Sequence, residues 1–265
     1  MKDRALALAL SAPLKQRKNI LREYLQAHIL YSIQQAGAFS HIAFQGGTAL
    51  RFLYSTRRFS EDLDCALENK EGFDFEKMKN KILKDLQNSG FSAVVIEKKE
   101  KIVKVLSVRI SELLFESGVS ERKNENLNVS VDIDRRPPLG AHFTTTVVTR
   151  HFTLSLRHYD MASLMARKLH AVFTRPFVKG RDLYDLLWYL SKPEKTIPNI
   201  PFLNNAIEQT GWKGARITLE NWKKEVLAHI SKFNWSHIPQ DVAHFLEDAE
   251  EARLLSLETF KSLLR

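Results

Sequence analysis

Two glycines break an apolar run in the segment "HIAFQGGTALRFLY", residues 41–54, so that a strand, a turn and a helix must follow one another almost without a linker. "HIAFQ" reads as the strand, Gly46 and Gly47 end it, and Ala49, Leu50, Leu53 and Tyr54 recur at helical spacing beyond them. Shortly afterwards "EDLDCAL", residues 61–67, alternates between polar and apolar positions and reads as a second strand. That order points to an α+β fold.

The rest of the chain supplies the remaining layers. Residues 14–36 read as a helix, with Leu21, Tyr24, Leu25, Ile29 and Ile33 on one face. "FDFEKMKNKILKDLQ" reads as another, with Phe75, Met78, Ile82 and Leu86 inward and Gly90 as its stop signal. Four β segments follow: "FSAVVIEKK", "KIVKVLSVRI", "NLNVSVDID" and "TTTVVTRHFTLSLR". Beyond Tyr159 the pattern turns helical, with proline interruptions near 193–201. The expected architecture is an α+β domain over residues 1–158, a mixed sheet with flanking helices, followed by an all-α domain over 159–265. The last part, "FLEDAEEARLLSLETFKSLL", is amphipathic and reads as a core-packing helix pair.

Composition narrows the function classes. A chain of 265 residues with 44% hydrophobic and 27% charged side chains matches an ordinary soluble globular protein. No apolar run approaches the roughly 20 residues of a membrane span. "ALALALSA" near the N-terminus is short, preceded by Asp3 and followed by a basic helix, which argues against a signal segment. The single cysteine, Cys65, excludes an internal disulfide and a cysteine zinc site and fits a reducing cytoplasm. A formal charge of +9 attracts polyanions. The charge is dispersed, however, and runs such as "KNENLN" and "EKKEKIVK" read as solvated loops and strand edges.

The chemistry gathers at the glycines. A Gly-Gly turn at a helix start offers unobstructed backbone N–H groups to phosphate oxygens. Asp62 and Asp64, at i and i+2 on the following strand, share one face, and Cys65 falls on the other as a small buried hydrophobe. Two carboxylates so close repel unless a cation lies between them, and oxygen ligands select Mg²⁺ or Mn²⁺. A phosphate cradle beside such a site suits a nucleoside triphosphate. A third carboxylate comes from "NLNVSVDID", where Val129, Val131 and Ile133 alternate inward and Asp132 and Asp134 take the other face. If that strand pairs beside Asp62 and Asp64, Asp132 completes the set and can take a proton from an attacking hydroxyl. Asp134 reads instead as a partner of Arg135 or Arg136, and Glu61 as a partner of Arg57 or Arg58.

These segments, in order, carry a resemblance. "LREYLQAHIL", "FQGGTALRFLY", "RRFSEDLDCAL", "VSVDID", "MARKLHAVFTRP" and "KGRDLYDLLWYL" span roughly residues 20–190. Together they resemble the AbiEii/AbiGii-toxin-type nucleotidyltransferases of the DNA-polymerase-β-like superfamily. The resemblance implies a polymerase-β-like domain with Gly46, Gly47 and Thr48 as the glycine motif and Asp62, Asp64 and Asp132 as metal-binding carboxylates. It also implies that Lys168 contacts the nucleotide phosphates and that Asp182 completes the pocket. Arg175 and Arg181 could add positive charge there. Asp182 could equally cap its helix, Asp185 could pair with Arg181 at i, i+4, and His170 reads as a packing residue.

The implied activity is Mg²⁺-dependent transfer of a nucleoside monophosphate from an NTP to an acceptor hydroxyl, most readily the 3′ end of tRNA. The implied setting is a cytoplasmic toxin of a toxin–antitoxin or phage-defence pair, with a cognate antitoxin as partner. Two alternatives stay open: nucleotidylation of a small molecule or protein by the same site, and a nucleotide-binding partner module with little turnover.

Overall fold

In the computed structural model, residues 1–98, 102–194 and 196–265 are described. The stretch 99–101, part of the sequence read as a strand edge and loop, and residue 195, within the proline interruptions, lie outside them. The elements run α1 (Lys2–Leu10), α2 (Leu14–Gln35), β1 (Ile42–Gln45), α3 (Gly46–Tyr54), β2 (Leu63–Leu67), α4 (Phe75–Asn88), β3 (Ala93–Lys98) and β4 (Val103–Ile110). Next come α5 (Leu113–Glu116), β5 (Leu127–Asp134), β6 (Phe143–Thr149), β7 (Thr153–Tyr159), α6 (Met161–Thr174) and α7 (Gly180–Leu190). The chain closes with α8 (Ile200–Gln209), α9 (Trp222–Ile230), α10 (Ile238–Ala243) and α11 (Leu257–Leu263). They form two compact units. One comprises Met1–Ser55, Phe59–Arg136 and Thr145–His158; the other comprises Thr56–Arg58, Pro137–Thr144 and Tyr159–Arg265.

The first unit is built on a seven-stranded mixed sheet in the order β3-β4-β5-β2-β1-β7-β6. β1 is buried along its whole length, with β2 antiparallel on one side and β7 parallel on the other. β2 pairs parallel with β5, and β3, β4 and β5 form an antiparallel meander. In β5 the alternation is strict: Leu127, Val129, Val131 and Ile133 are buried and the residues between them are not. In α4, Met78, Ile82 and Leu86 are buried, Asp74 caps the helix by accepting from the Lys77 N–H, and Phe75 stays half-exposed beneath the Lys104 amine.

α2 departs from its one-faced reading. The five apolar residues expected inward are buried, but so are Arg22, Glu23, Gln26 and His28. The helix packs against α1, α4 and β5, so little of its central part faces water. Its polar side chains persist because each has a partner. The Gln26 amide donates to the Ser60 carbonyl at 3.0 Å, His28 Nε2 meets the Ser89 hydroxyl at 2.8 Å, and Arg22 lies 3.3 Å from Glu61. Glu61 thus has Arg22 of α2 as an ion-pair partner. Glu23 accepts from Arg51 of α3 and, at 2.9 Å, from Arg150 between β6 and β7, which fixes the glycine-led helix against α2.

In the second unit α6 packs against α7, α8 and α9, α10 lies against α7, and α11 against α9. The expected C-terminal helix pair is shorter than its amphipathic pattern suggests. Ala249–Leu254 forms a 3₁₀ segment capped by Asp248, and only Leu257–Leu263 is α-helical. Among the described residues no helix is long and apolar enough to cross a membrane.

The Glu23 cluster sets a pH dependence. Burial opposes its charge, but the His151 imidazole and the Arg51 and Arg150 guanidiniums outweigh that and lower the carboxyl from 4.5 to about 2. A depressed carboxyl contributes its full stability above the unfolded value and loses it as pH falls through the folded one. Between those values the wild-type chain is expected to lose about 3 kcal/mol more than Glu23→Gln does. Urea unfolding of both proteins at stepped pH checks this.

Candidate active site

Three neighbouring elements of the first unit bring the motif residues together. β2 and β5 pair in parallel register with Asp64 opposite Asp132. Adjacent strands lie about 4.8 Å apart, so the two carboxylates are direct neighbours on one face. Both are half-exposed, and the alternate positions Leu63, Cys65, Val131 and Ile133 are buried on the other face. The pairing on which Asp132 depended is thus present. Ser130, two residues earlier on the same face, donates its hydroxyl to Asp132, and Asp134 accepts from the Arg136 N–H at 2.9 Å where β5 ends.

Asp62 lies one residue before β2 rather than within it. It is anchored through its backbone: the Thr48 hydroxyl donates to the Asp62 carbonyl. Thr48 is fully buried, so its hydroxyl ties the helix start to the carboxylate segment.

The glycines lie in the first turn of α3 rather than in a separate loop. Gln45 is extended, and Gly46 then turns the chain with φ +80°, a left-handed conformation that side chains rarely adopt. Gln45 is also the register partner of Asp64. A β-carbon on Gly46 would come within 2.8 Å of Asp64 Cγ and 2.9 Å of its Cβ. The Asp64 side chain therefore packs directly on the glycine. The first N–H groups of α3 have no partner within the helix and carry its positive dipole end, a setting that favours carboxylate and phosphate oxygens.

Cys65 registers the charge of this face from the buried side. Burial first, then the negative charges of Asp64 and Asp132, push its thiol far above the ordinary value. Two carboxylates adjacent across a ladder form a hard-oxygen donor pair, which fits a small divalent cation. Among the described residues no three His, Cys, Asp or Glu side chains are gathered as a ready cage. Asp64 and Asp132 are the pair the fold itself unites.

The other candidates belong to the second unit. Lys168 on α6 is half-buried between two carboxylates of α7, with its amine 2.9 Å from Asp182 and 2.7 Å from Asp185. Asp185 is fully buried and also receives two hydrogen bonds from Arg58, at 2.8 and 2.9 Å. Arg175 donates to the second oxygen of Asp182. Burial opposes the charge on Lys168, but Asp182 and Asp185 outweigh it and raise the amine's pKa. Burial likewise opposes ionisation of Asp182, and Lys168 and Arg175 reverse that.

Asp185 thus pairs with Arg58 and Lys168 rather than with Arg181, whose guanidinium lies over the Phe245 ring, 4.4 Å from its centroid. Asp182 turns to Lys168 and Arg175 and does not cap α7. The Gly180 N–H at that helix start donates instead to Asp241 at 2.6 Å. His170 meets the Thr210 hydroxyl at 3.1 Å, and burial with the nearby Arg167 and Arg175 lowers its pKa to about 4, so it stays neutral. Sequence reasoning missed the destination of Arg58. The one signal was a second arginine directly before the carboxylate motif.

Residues 28–264 match the family described as Nucleotidyl transferase AbiEii toxin, Type IV TA system. A crystal structure from Helicobacter pylori described as a candidate nucleotidyltransferase aligns with a TM-score of 0.54 at 19% identity, covering 92% of this chain and 89% of that one. The crystal structure of JHP933 from Helicobacter pylori aligns with a TM-score of 0.51 at 18% identity, covering 93% and 88%. At such identities these two likenesses show the fold. No curated protein matches the chain.

Two substitutions test the local geometry. Gly46→Ala combines a left-handed backbone with a collision against Asp64, and the backbone term alone is worth about 1–2 kcal/mol. Thr48→Val keeps the volume but removes the hydrogen bond to the Asp62 carbonyl, at a cost of about 1 kcal/mol. Both are expected to lower the denaturant midpoint, Gly46→Ala the more, in equilibrium unfolding followed by circular dichroism.

Proposed function

Since the chain belongs to the AbiEii nucleotidyl transferase toxin family of type IV toxin–antitoxin systems, we propose that it transfers a nucleoside monophosphate from an NTP to the 3′ end of tRNA, with Mg²⁺. Family membership makes it a nucleotidyltransferase with an NTP substrate and an antitoxin partner; the acceptor, the metal and a role in phage defence within the cytoplasm are our reading. The observation that carries the chemistry is the register pairing of Asp64 with Asp132 beside the Gly46 turn.

Each residue has a defined task. The N–H groups at the start of α3, opened by Gly46 and Gly47, receive phosphate oxygens. Thr48 fixes the Asp62 backbone, so both Asp62 and Asp64 are held at the head of β2. Asp62, Asp64 and Asp132 are the residues that would hold divalent metal. The metal, when bound, supplies charge neutralisation for the triphosphate and lowers the pKa of the acceptor hydroxyl. Asp132 accepts the hydroxyl proton. The freed oxygen attacks the α-phosphorus in line, the bond from that phosphorus to the bridging oxygen breaks, and pyrophosphate leaves. Lys168, with Arg175 and Arg181 adding charge, is assigned to the triphosphate tail on its chemistry and its place in the family pattern, and Asp182 orients it. The +9 charge of the chain favours a polyanionic acceptor.

The test is label transfer. Wild-type protein, Mg²⁺, each α-labelled NTP in turn and total tRNA are resolved on a denaturing gel. Label is expected on tRNA from wild type, with the rate reduced about 10²–10⁴-fold in Asp132→Asn and no label from Asp64→Asn. Pyrophosphate release without labelled RNA would transfer the reading to a small-molecule or protein acceptor. Absence of both would favour a binding module.

A further inference from the structure

The second unit contains five alternating charges in a row: Arg58, Asp185, Lys168, Asp182 and Arg175. Three cations face two carboxylates within this row. The distribution is uneven. Arg58 binds both oxygens of Asp185 in a two-pronged pair and is buried with it. Arg175 holds one oxygen of Asp182. Lys168 alone is shared, taking one oxygen from each aspartate.

Arg58 reaches this network from an unexpected part of the chain. Thr56–Arg58 lies in sequence between α3 and β2 but belongs to the second unit. Its backbone bridges to Leu246, and the Glu247 N–H donates to the Arg57 carbonyl at 3.0 Å. Arg57 adds an ion pair to Glu251. The strap is therefore pinned at Arg57 and at the Arg58 backbone.

We propose that Arg58 is a positioning residue for Lys168: by satisfying Asp185 itself, it lets the Lys168 amine turn to a triphosphate without leaving a buried carboxylate unpaired. The proposal rests on the assignment of Lys168 to the nucleotide phosphates. Stranding a buried charge is costly, whereas exchanging one partner while another remains is not. Without Arg58, Lys168 becomes, among the described residues, the only cation on Asp185 and is held away from any competing anion. Arg175 performs the same service at Asp182.

The experiment measures binding of MgATP, MgGTP, MgCTP and MgUTP to the full chain by calorimetry, with thermal unfolding of each variant alongside. For the tightest nucleotide, Lys168→Gln is expected to raise Kd about tenfold, the weight of one charge-assisted hydrogen bond. Arg58→Gln is expected to raise it comparably. The double variant Arg58→Gln/Asp185→Asn is expected to regain most of that loss, because the carboxylate that captured Lys168 is gone. A purely structural role for Arg58 predicts instead that affinity follows the unfolding midpoint across the variants, whereas the positioning role predicts weakened binding by Arg58→Gln at temperatures where it is fully folded.

A folded Arg58→Gln with unchanged Kd, or a double variant as weak as the single, overturns the proposal and leaves Lys168 on the phosphates. An unchanged Kd in Lys168→Gln overturns the phosphate assignment and the proposal together, as does a wild-type chain that binds no NTP. If Arg58→Gln does not fold, the double variant decides: binding clearly tighter than that of Lys168→Gln supports the proposal, and binding equal to it overturns the proposal.

Discussion

The contact of the Asp64 side chain with the α-carbon of Gly46 is the constraint on which the first unit's chemistry depends. A carboxylate cannot come this close to a residue that has a side chain, and an ordinary residue would resist the left-handed turn that starts α3. Once the glycine is in place, several consequences follow together. β1 leads straight into a helix whose start packs beside the carboxylate strand. Thr48, two residues on, is placed to bind the Asp62 backbone. Glu23 fixes Arg51 of the same helix against α2. The candidate face is thus the junction of a strand end, a helix start and a neighbouring strand, each held by a different interaction.

Much of this junction was legible in the chain. Strict alternation in "NVSVDID" put Asp132 on the polar face, and the structure shows that face beside Asp64. The glycines announced the end of β1, although they proved to be the first helical turn rather than a loop. α2 was harder, because an apolar stripe shows one buried face and cannot show that Glu23, Gln26 and His28 have partners elsewhere in the chain. The C-terminal segment misled for a related reason: its apolar spacing suits a helix, but Asp248 caps a 3₁₀ segment there and the helix begins only at Leu257. Least legible was the Arg58–Asp185 pair, since nothing local to either residue names a partner so far along the chain.

The two ion clusters follow one logic in different units. Glu23 is a single carboxylate against several cations, which suits a fixed brace. The Lys168 network shares its carboxylates among three cations, and only the lysine is held by two of them. Buried charge is expensive wherever it occurs. A brace holds its one carboxylate from several sides, and a network of shared partners keeps alternatives available.

The parallel pairing of β2 with β5 bears on when its two carboxylates come together. Parallel neighbours cannot be joined by a tight hairpin. Here the chain passes through α4, β3, β4 and α5 before it returns, and β4 then flanks β5 on its other side. Contacts between positions so distant in sequence form late and slowly in folding. A growing polypeptide therefore exposes its glycine turn and its first aspartates long before the second carboxylate strand has been synthesised. Until β5 docks, Asp64 has no Asp132 beside it, and a truncated or unfinished copy lacks the paired centre. For a chain of a toxin family, the topology delays the meeting of these two carboxylates until the sheet is whole.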